Sequence, residues 1–192
     1  MLAIIAVIIG YLLGSIATGV MLSKLLNLPD PRKTGSGSSG ATNILRTMGK
    51  QQAILVLAGD ILKGVIAVLI ARMFGVEGFM LGLVAFAAVV GHIFPIFFDF
   101  KGGKGVATAI GGIFVLNFFV GILCLVIWAG MAYFLRYSSL ASIAASIAAP
   151  ILMFFLNMSY AFPVLLIALL IIYKHLDNIK RLKDGTESKL NF

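Results

Sequence analysis

Long apolar runs separated by short polar segments dominate the sequence. A membrane-spanning helix needs about 20 mostly apolar residues, and runs of about this length occupy 2–23, 51–72, 77–98, 138–157 and 159–174. Only Asn157, Met158 and Ser159 separate the last two, which requires a tight turn. The pattern predicts an all-α integral membrane protein.

A further apolar stretch, 105–135, is too long for one crossing. As a single helix it would reach about 46 Å, whereas the hydrocarbon core of a bilayer is about 30 Å thick. It is therefore either one strongly tilted helix or two short ones divided near Asn117. The division gives seven helices and its absence gives six, so the two arrangements distribute the loop charges differently.

The distribution of basic residues favours the division. With seven helices, all but Lys63 and Arg72 of the 15 Lys and Arg residues lie in or beside loops on one face. With six helices they divide almost evenly, although cytoplasmic loops normally accumulate basic residues. We therefore predict seven transmembrane helices with the N-terminus outside and the C-terminus in the cytoplasm. No basic segment precedes 1–23, so we expect a retained helix and not a signal peptide.

Composition agrees with a membrane protein. The chain is 61% hydrophobic and 11% charged, against about 45–50% and about 25% in soluble domains. Its net charge is +8, and most of the basic residues lie in the segments between the apolar runs. This position favours anionic lipid headgroups or phosphorylated substrates as binding partners over nucleic acid. The single Cys124 excludes a disulfide framework and a cysteine metal site. We expect one domain, 1–192, whose chemistry lies in the polar segments 29–50, 91–108 and 174–190.

The first polar segment, 29–50, has the features of a phosphate-binding loop. Glycines such as Gly35 let backbone N–H groups approach an anion, and serines such as Ser36 add donors. Asn43 and Arg46 follow, and an arginine can bind phosphate through two hydrogen bonds. A flexible Gly/Ser linker is the alternative, but linkers rarely end in such donors. The Gly-Lys-Ser/Thr ending of a nucleotide-binding P-loop is missing.

The second polar segment, 91–108, places Gly102, Gly103 and Lys104 where a helix is predicted to begin. A helix N-terminus attracts anions through its free N–H groups and its dipole. His92 lies just inside the membrane end of the preceding helix. It is either a hydrogen-bonded structural residue or a functional one, since ionisable groups at membrane depth are often functional.

The third polar segment, 174–190, continues the last helix out of the membrane. His175 and Asn178 are three residues apart and share a helical face, with Arg181 nearby. A basic run of this kind usually binds lipid headgroups. Glu187 follows a helix stop at Gly185, and we expect it to cap or to hold a basic partner and not to act as a catalytic base.

Two polar groups lie within predicted helices. Ser139 and Ser142 share a helical face beside Arg136. Their hydroxyls either form hydrogen bonds with the backbone of their own helix or a neighbouring helix, or face the chemistry of the three polar segments. Asp60 and Lys63 are also three residues apart. They either neutralise each other or mark a transport path.

The motifs resemble those of a known family. GSGSSGATNILRTMG (35–49), GHIFPIFFDFKGGKGVAT (91–108) and HLDNIKRLKDGTE (175–187) are similar to the three signature motifs of the bacterial acyl-phosphate:glycerol-3-phosphate acyltransferases. The GYLLGSI, GDILKG and RYSSLASI stretches extend the resemblance along the whole chain. One departure is that Ser38 and Ser39 stand where the first motif of the family usually has asparagine.

The resemblance implies transfer of a fatty acyl group from acyl phosphate to the sn-1 hydroxyl of glycerol 3-phosphate, giving lysophosphatidic acid and phosphate. It implies no cofactor, no metal, no use of acyl-CoA and a monomer in the bacterial inner membrane, with the active site on the cytoplasmic face. We assign catalytic roles to His175, Asn178, Ser36 and Arg46. We assign substrate-phosphate binding to Gly35, Ser36, Asn43, Arg46, Gly102, Gly103, Lys104, Ser142 and Asn178.

The mechanism expected from these residues is direct transfer. Neither a Ser-His-Asp order nor a His followed four residues later by Asp is present, so we expect no covalent acyl-enzyme. The proton of the attacking hydroxyl passes either to His175 or to a substrate phosphate, and the sequence leaves both open.

Other functions fit the sequence less well. A transporter or scramblase of a phosphorylated lipid or metabolite should have internal repeats and sites at the membrane midplane, yet apart from Asp60 and Lys63 the polar clusters gather at one interface. A non-catalytic lipid-binding scaffold would explain the basic tail but not three distinct Gly/Ser/His/Asn segments. The sequence therefore favours the enzyme.

Overall fold

The computed structural model describes residues 1–190 and folds them into ten α-helices without β-strands. The helices are α1 Leu2–Gly14, α2 Thr18–Leu25, α3 Ala41–Thr47, α4 Lys50–Met73, α5 Gly78–Ile93, α6 Val106–Leu116, α7 Phe118–Leu135, α8 Ser138–Leu156, α9 Ala161–Lys174 and α10 Leu176–Lys183. Short 3-10 turns lie at Pro31–Lys33, Ile96–Phe98 and Met158–Tyr160. The all-α prediction is confirmed.

The helices provide four to six candidate membrane spans. Four are long and apolar enough alone: α4, α5 together with the following turn to Phe98, α7 and α8. The pairs α1–α2 and α9–α10 qualify if each bent pair counts as one span. Helix α6 has 11 residues and a length of about 16 Å, as expected of a short helix from the divided stretch 105–135, and the number of seven spans stays a prediction.

The predicted breaks after α6 and α8 are both present. Helix α6 ends at Leu116 and α7 begins at Phe118. Between them the Asn117 side chain accepts a hydrogen bond from the Val120 N–H at 3.2 Å and caps α7. Asn157 likewise ends α8 just before the Met158–Tyr160 turn.

Two helices predicted to be continuous are bent instead. The first stops at Gly14 and resumes at Thr18 with a bend of 41°. The break frees the Ile16 carbonyl, which accepts a hydrogen bond of 2.8 Å from Lys63 Nζ and so gains a partner that the helix no longer supplies. At the other end of the chain, α10 turns by 55° from α9 at His175.

Glycines let helices α4 and α6 pack with their backbones in close contact. A Cβ at Gly64 would lie 2.2 Å from the Thr108 carbonyl oxygen, and one at Gly111 would lie 2.2 Å from that of Ile61. Small residues at helix contacts are typical of membrane bundles. The close approach brings Thr108 within hydrogen-bonding distance of the Asp60 backbone.

We predict that Gly111→Leu destabilises the bundle by about 1–3 kcal/mol, because the added side chain must separate α4 from α6. Gly130→Leu is the matched control, since nothing lies within 4 Å of a Cβ at that position. Thermal unfolding in detergent should show a lower Tm for Gly111→Leu alone. Equal Tm values for the two variants would contradict the close packing.

Candidate active site

The three polar segments meet at a cavity of about 190 Å³. Its polar lining includes Ser36, Ser38, Asn43, Arg46, Lys104, Ser139, Ser142, His175, Asn178, Arg181 and Glu187. Its apolar wall includes Leu57, Ile61, Ile110, Leu125 and Trp128. Residues that are far apart in the sequence therefore surround one space, which is lined by both polar and apolar groups.

Asn43 holds the first loop in shape from within. Its amide nitrogen contacts the carbonyl oxygens of Pro31, Thr34 and Ser38 at 2.8–3.1 Å, and its Oδ1 accepts from the Ser36 N–H at 2.9 Å. The loop itself therefore uses both amide protons. In this structure Asn43 positions Ser36, and the phosphate contact expected of Asn43 stays a prediction.

Gly35 is required by the same arrangement. Its φ is +56°, and a Cβ there would lie 2.3 Å from Asn43 Oδ1. Any other residue would be strained in this conformation and would displace the amide that shapes the loop. Gly35 lies outside the residues that line the cavity, and the phosphate contact expected of it stays a prediction.

Gly102 and Gly103 pack against His92 and do not line the cavity. Their N–H groups donate to the carbonyl oxygens of Ile93 and His92, each at 3.2 Å. A Cβ at Gly102 would lie 2.0 Å from the His92 oxygen. These two hydrogen bonds hold the loop that carries Lys104 against the end of α5, and the phosphate contacts expected of Gly102 and Gly103 stay predictions.

Lys104 reaches the cavity and donates a hydrogen bond to Asn178 Oδ1. Burial lowers the pKa of its ammonium group to about 8. The Glu187 carboxylate opposes this shift, and the Arg181 and Arg46 guanidinium groups reinforce it. The cavity thus contains a partly desolvated cation beside two arginines, an arrangement suited to anionic ligands.

His175 presents a neutral acceptor to the cavity. Its Nδ1 donates to the Ile171 carbonyl oxygen at 2.8 Å, so the lone pair of the neutral ring is on Nε2. Burial lowers the pKa of the imidazole to about 4, and the nearby Lys104 charge adds to this effect. At neutral pH the ring is therefore uncharged and can accept a hydrogen bond at Nε2.

Ser139 and Ser142 of α8 face the cavity, and Ser142 also forms a hydrogen bond with its own helix. Ser142 Oγ donates to the Ser138 carbonyl of its own helix at 2.8 Å and accepts from Trp128 Nε1 at 3.1 Å. Ser139 Oγ donates to Glu187 Oε1 at 2.7 Å. Both serines line the cavity. Sequence reasoning missed Trp128, because a cavity-facing aromatic residue and a lipid-facing one give the same apolar signal.

Glu187 holds the C-terminal tail against the cavity. Its Oε1 accepts from Asn178 Nδ2 at 2.6 Å, and its Oε2 accepts from Arg181 Nε at 2.7 Å. Burial raises its pKa, but hydrogen bonds from Ser139, Asn178 and Arg181 outweigh burial and lower it overall. The predicted basic partner is confirmed. Arg46 contacts the same tail through the Ser188 carbonyl oxygen at 2.9 Å.

Glu187→Ala is expected to loosen the tail and lower the Tm, because three donors lose an ionised acceptor and hydrogen bonds to charged groups contribute about 1.5–3 kcal/mol each. The matched control is the exposed Glu77, changed to alanine. Limited proteolysis should cleave the tail faster in Glu187→Ala than in Glu77→Ala. Equal cleavage rates and Tm values would show that the carboxylate does not hold the tail.

Comparison with known proteins identifies the family. Residues 4–185 match the family model described as glycerol-3-phosphate acyltransferase. The chain belongs to this family. A glycerol-3-phosphate acyltransferase of Coxiella burnetii (strain Dugway 5J108-111) is 50% identical over 188 residues, with 97% of each chain covered. One of Legionella pneumophila (strain Corby) is 45% identical and covers 100% of this chain and 70% of its own length.

Two solved structures share the family fold. Both are crystal structures of PlsY, an integral membrane glycerol 3-phosphate acyltransferase, in a glycerol 3-phosphate form and a lysophosphatidic acid form. Their TM-scores are 0.93 and 0.90 at 43% and 42% identity, over 98% of this chain and 96% and 95% of theirs. The expected family and the multi-pass membrane class are confirmed.

Proposed function

We propose that the protein moves a fatty acyl group from acyl phosphate to the sn-1 hydroxyl of glycerol 3-phosphate, giving lysophosphatidic acid and phosphate. The observation that carries this proposal is the mixed lining of one cavity, in which Arg46, Lys104 and Arg181 occur together with apolar residues such as Leu57 and Ile110. Such a space suits a donor with a phosphate head and an acyl tail, together with a small phosphorylated acceptor. The named relatives and the two PlsY forms support the acyltransferase and its acceptor and product.

The substrate phosphates are assigned to the cationic and hydroxyl groups that face the cavity. Ser36, Arg46 and Lys104 bind phosphate oxygens, and Asn178 adds a contact through its second amide hydrogen. Ser142 adds another when its hydroxyl turns from the Ser138 carbonyl oxygen to a phosphate oxygen. Gly35, Asn43, Gly102 and Gly103 shape the two loops that present these groups. Charge-assisted hydrogen bonds of this type are the strong ones in phosphate recognition.

The acyl group is transferred in a single displacement at the carbonyl carbon. The sn-1 oxygen attacks this carbon, and the bond from the carbon to the bridging phosphate oxygen breaks with its electron pair leaving on phosphate. A phosphate with a second pKa of about 6 is a stronger base than His175, whose pKa is about 4. We therefore assign the proton to a substrate phosphate and the orientation of the hydroxyl to His175 Nε2. No covalent acyl-enzyme forms.

We further propose a monomer that crosses a bacterial inner membrane seven times, with its N-terminus outside and its C-terminus and cavity at the cytoplasmic face. The clustering of Lys and Arg on one face supports this orientation. Single cysteines at Glu77 and Asp184 in a Cys124→Ser background test it in intact cells. A membrane-impermeant maleimide should label position 77 only, and labelling of position 184 would reverse the topology.

A donor comparison tests the function. The purified protein in lipid receives glycerol 3-phosphate with either palmitoyl phosphate or palmitoyl-CoA, and both lysophosphatidic acid and phosphate are measured. We expect equimolar products from palmitoyl phosphate and no turnover of palmitoyl-CoA. Absence of turnover with palmitoyl phosphate, or equal turnover of both donors, would reject the proposal.

A further inference from the structure

A buried polar cluster joins helices α2, α4, α5 and α6. Asp60 of α4 is 2% exposed, and its Oδ1 accepts from Thr18 Oγ1 of α2 at 3.1 Å. The same oxygen lies 3.0 Å from Lys63 Nζ and 3.4 Å from Nδ1 of His92 in α5. Lys63 therefore neutralises Asp60, which is the first of the two roles expected for this pair. Thr108 of α6 completes the cluster by donating to the Asp60 backbone.

The cluster fixes the orientation of the His92 ring. Thr108 Oγ1 donates its single proton to the Asp60 carbonyl oxygen at 2.9 Å, so it must accept at its 3.1 Å contact with His92 Nδ1. The Nδ1 atom therefore carries hydrogen, and it faces both Thr108 Oγ1 and Asp60 Oδ1. Two acceptors at one edge thus hold a ring that is itself buried.

The opposite edge of the His92 ring supports the backbone of Gly103. A Cβ added at Gly103 would lie 2.3 Å from His92 Nε2, 3.1 Å from Cε1 and 3.3 Å from Cδ2, so its three nearest atoms all belong to this ring. Gly103 does not have the positive φ that would itself favour glycine. The contact with the ring, and not the backbone conformation, therefore explains the glycine at this position.

The position of Gly103 determines where Lys104 lies, because the two residues are adjacent and Lys104 enters the cavity. His92 contacts this loop twice, through its ring and through its carbonyl oxygen, which accepts from the Gly103 N–H at 3.2 Å. A shift of the Gly103 backbone would move the Lys104 side chain with it. Misplacement of a binding group by about 1 Å can cost about 100-fold in rate.

We propose that His92 is a positioning residue for Lys104: its ring, held by Asp60 and Thr108, supports the Gly103 backbone and so places the Lys104 ammonium group against a substrate phosphate. This inference rests on the proposed function and names a further determinant of the same site. The buried cluster then serves acyl transfer without touching either substrate. Its contribution passes through Lys104, and this dependence is what the tests measure.

The first test is a double-mutant cycle between His92 and Lys104. His92→Asn keeps an amide N–H near the former Nδ1, and with it the contacts to Asp60 and Thr108, but deletes the Nε2 edge. We expect it to lower kcat/KM with palmitoyl phosphate and glycerol 3-phosphate about tenfold in the wild-type background, but less than about twofold in the Lys104→Ala background. A general loss of stability would lower activity in both backgrounds, so equal losses would overturn the proposal.

The second test adds a methyl group at Gly103 with and without the His92 ring. Gly103→Ala should lower kcat/KM about tenfold in the wild type, because its Cβ collides with Nε2, but less than about twofold in His92→Asn, which lacks this atom. Gly130→Ala is the matched control, since nothing lies within 4 Å of a Cβ there, and it should leave kcat/KM unchanged in both backgrounds.

Two results of the second test would overturn the proposal. One is wild-type activity of Gly103→Ala, a comparison that leaves His92 unchanged and so needs no variant of the buried cluster to fold. The other is an equal loss from Gly103→Ala with and without the ring. Absence of turnover in the wild-type protein would instead reject the proposed function, and this inference with it.

Discussion

Lys104→Ala is expected to reduce kcat/KM with palmitoyl phosphate and glycerol 3-phosphate by at least about 100-fold, the usual effect of removing a donor that stabilises developing negative charge. Lys104 donates a hydrogen bond to Asn178 Oδ1 in the cavity, and its ammonium group is partly desolvated. Its charge therefore acts on phosphate through less water than a surface lysine would.

Lys101→Ala is the matched control for this variant. Lys101 belongs to the same connection between α5 and α6 but is exposed and lies outside the cavity. It should retain activity within about twofold, since a surface charge contributes little to local binding. Comparable losses in Lys101→Ala and Lys104→Ala would mean that the loop acts through its overall charge and not through Lys104.

The pH dependence provides a second measurement on Lys104. Its pKa in the free protein is about 8, so the ammonium form that binds phosphate is present below pH 8 and is lost above it. We expect kcat/KM to fall above pH 8, approaching tenfold per pH unit. Lys104→Arg should remove this alkaline decline because arginine stays protonated. Persistence of the same decline in Lys104→Arg would assign the titration to another group.

His175→Ala is expected to lower kcat by about 100-fold. The variant loses the Nε2 acceptor that orients the attacking hydroxyl, while the phosphate contacts remain, so KM should change little. Leu176→Ala alters the adjacent exposed residue and should keep wild-type kcat. Single-turnover rates in the three proteins separate the chemical step from product release.

A conservative substitution distinguishes orientation from proton acceptance at this position. Glutamine at position 175 places an amide near the former Nε2 and can still accept a hydrogen bond, but it cannot take a proton at neutral pH. We expect His175→Gln to recover a substantial part of the activity that His175→Ala loses. If both variants were equally inactive, His175 and not a substrate phosphate would be the proton acceptor.

The sequence predicted much of the fold because membrane helices have a strong and simple signal. The lengths of the apolar runs predicted the positions of α4, α5, α7, α8 and α9. The distribution of Lys and Arg among the loops predicted the division at Asn117. The bends at Ile16 and His175 could not be predicted in this way, because apolar composition runs through both of them; at Ile16 the freed carbonyl oxygen finds a partner in Lys63, which lies on another helix. Helix continuity in a bundle is decided by those contacts as well as by local composition.

The site could be predicted to the level of residue type. Arg46, Lys104, His175 and Asn178 do meet around one cavity, as their charge and spacing suggested. The glycines were harder to interpret, because a glycine that frees an N–H for phosphate and one that lets a loop pack on His92 have the same sequence signal. The two roles differ only in where the N–H donates, and that is a property of the folded chain.

The most direct test of the account is whether both phosphorylated substrates occupy the cavity together before the acyl group moves. Initial velocities measured over a grid of palmitoyl phosphate and glycerol 3-phosphate concentrations should give intersecting double-reciprocal lines. Radiolabelled phosphate should not exchange into palmitoyl phosphate when glycerol 3-phosphate is absent. Parallel lines together with such exchange would indicate a covalent acyl-enzyme and would contradict direct transfer in a shared cavity.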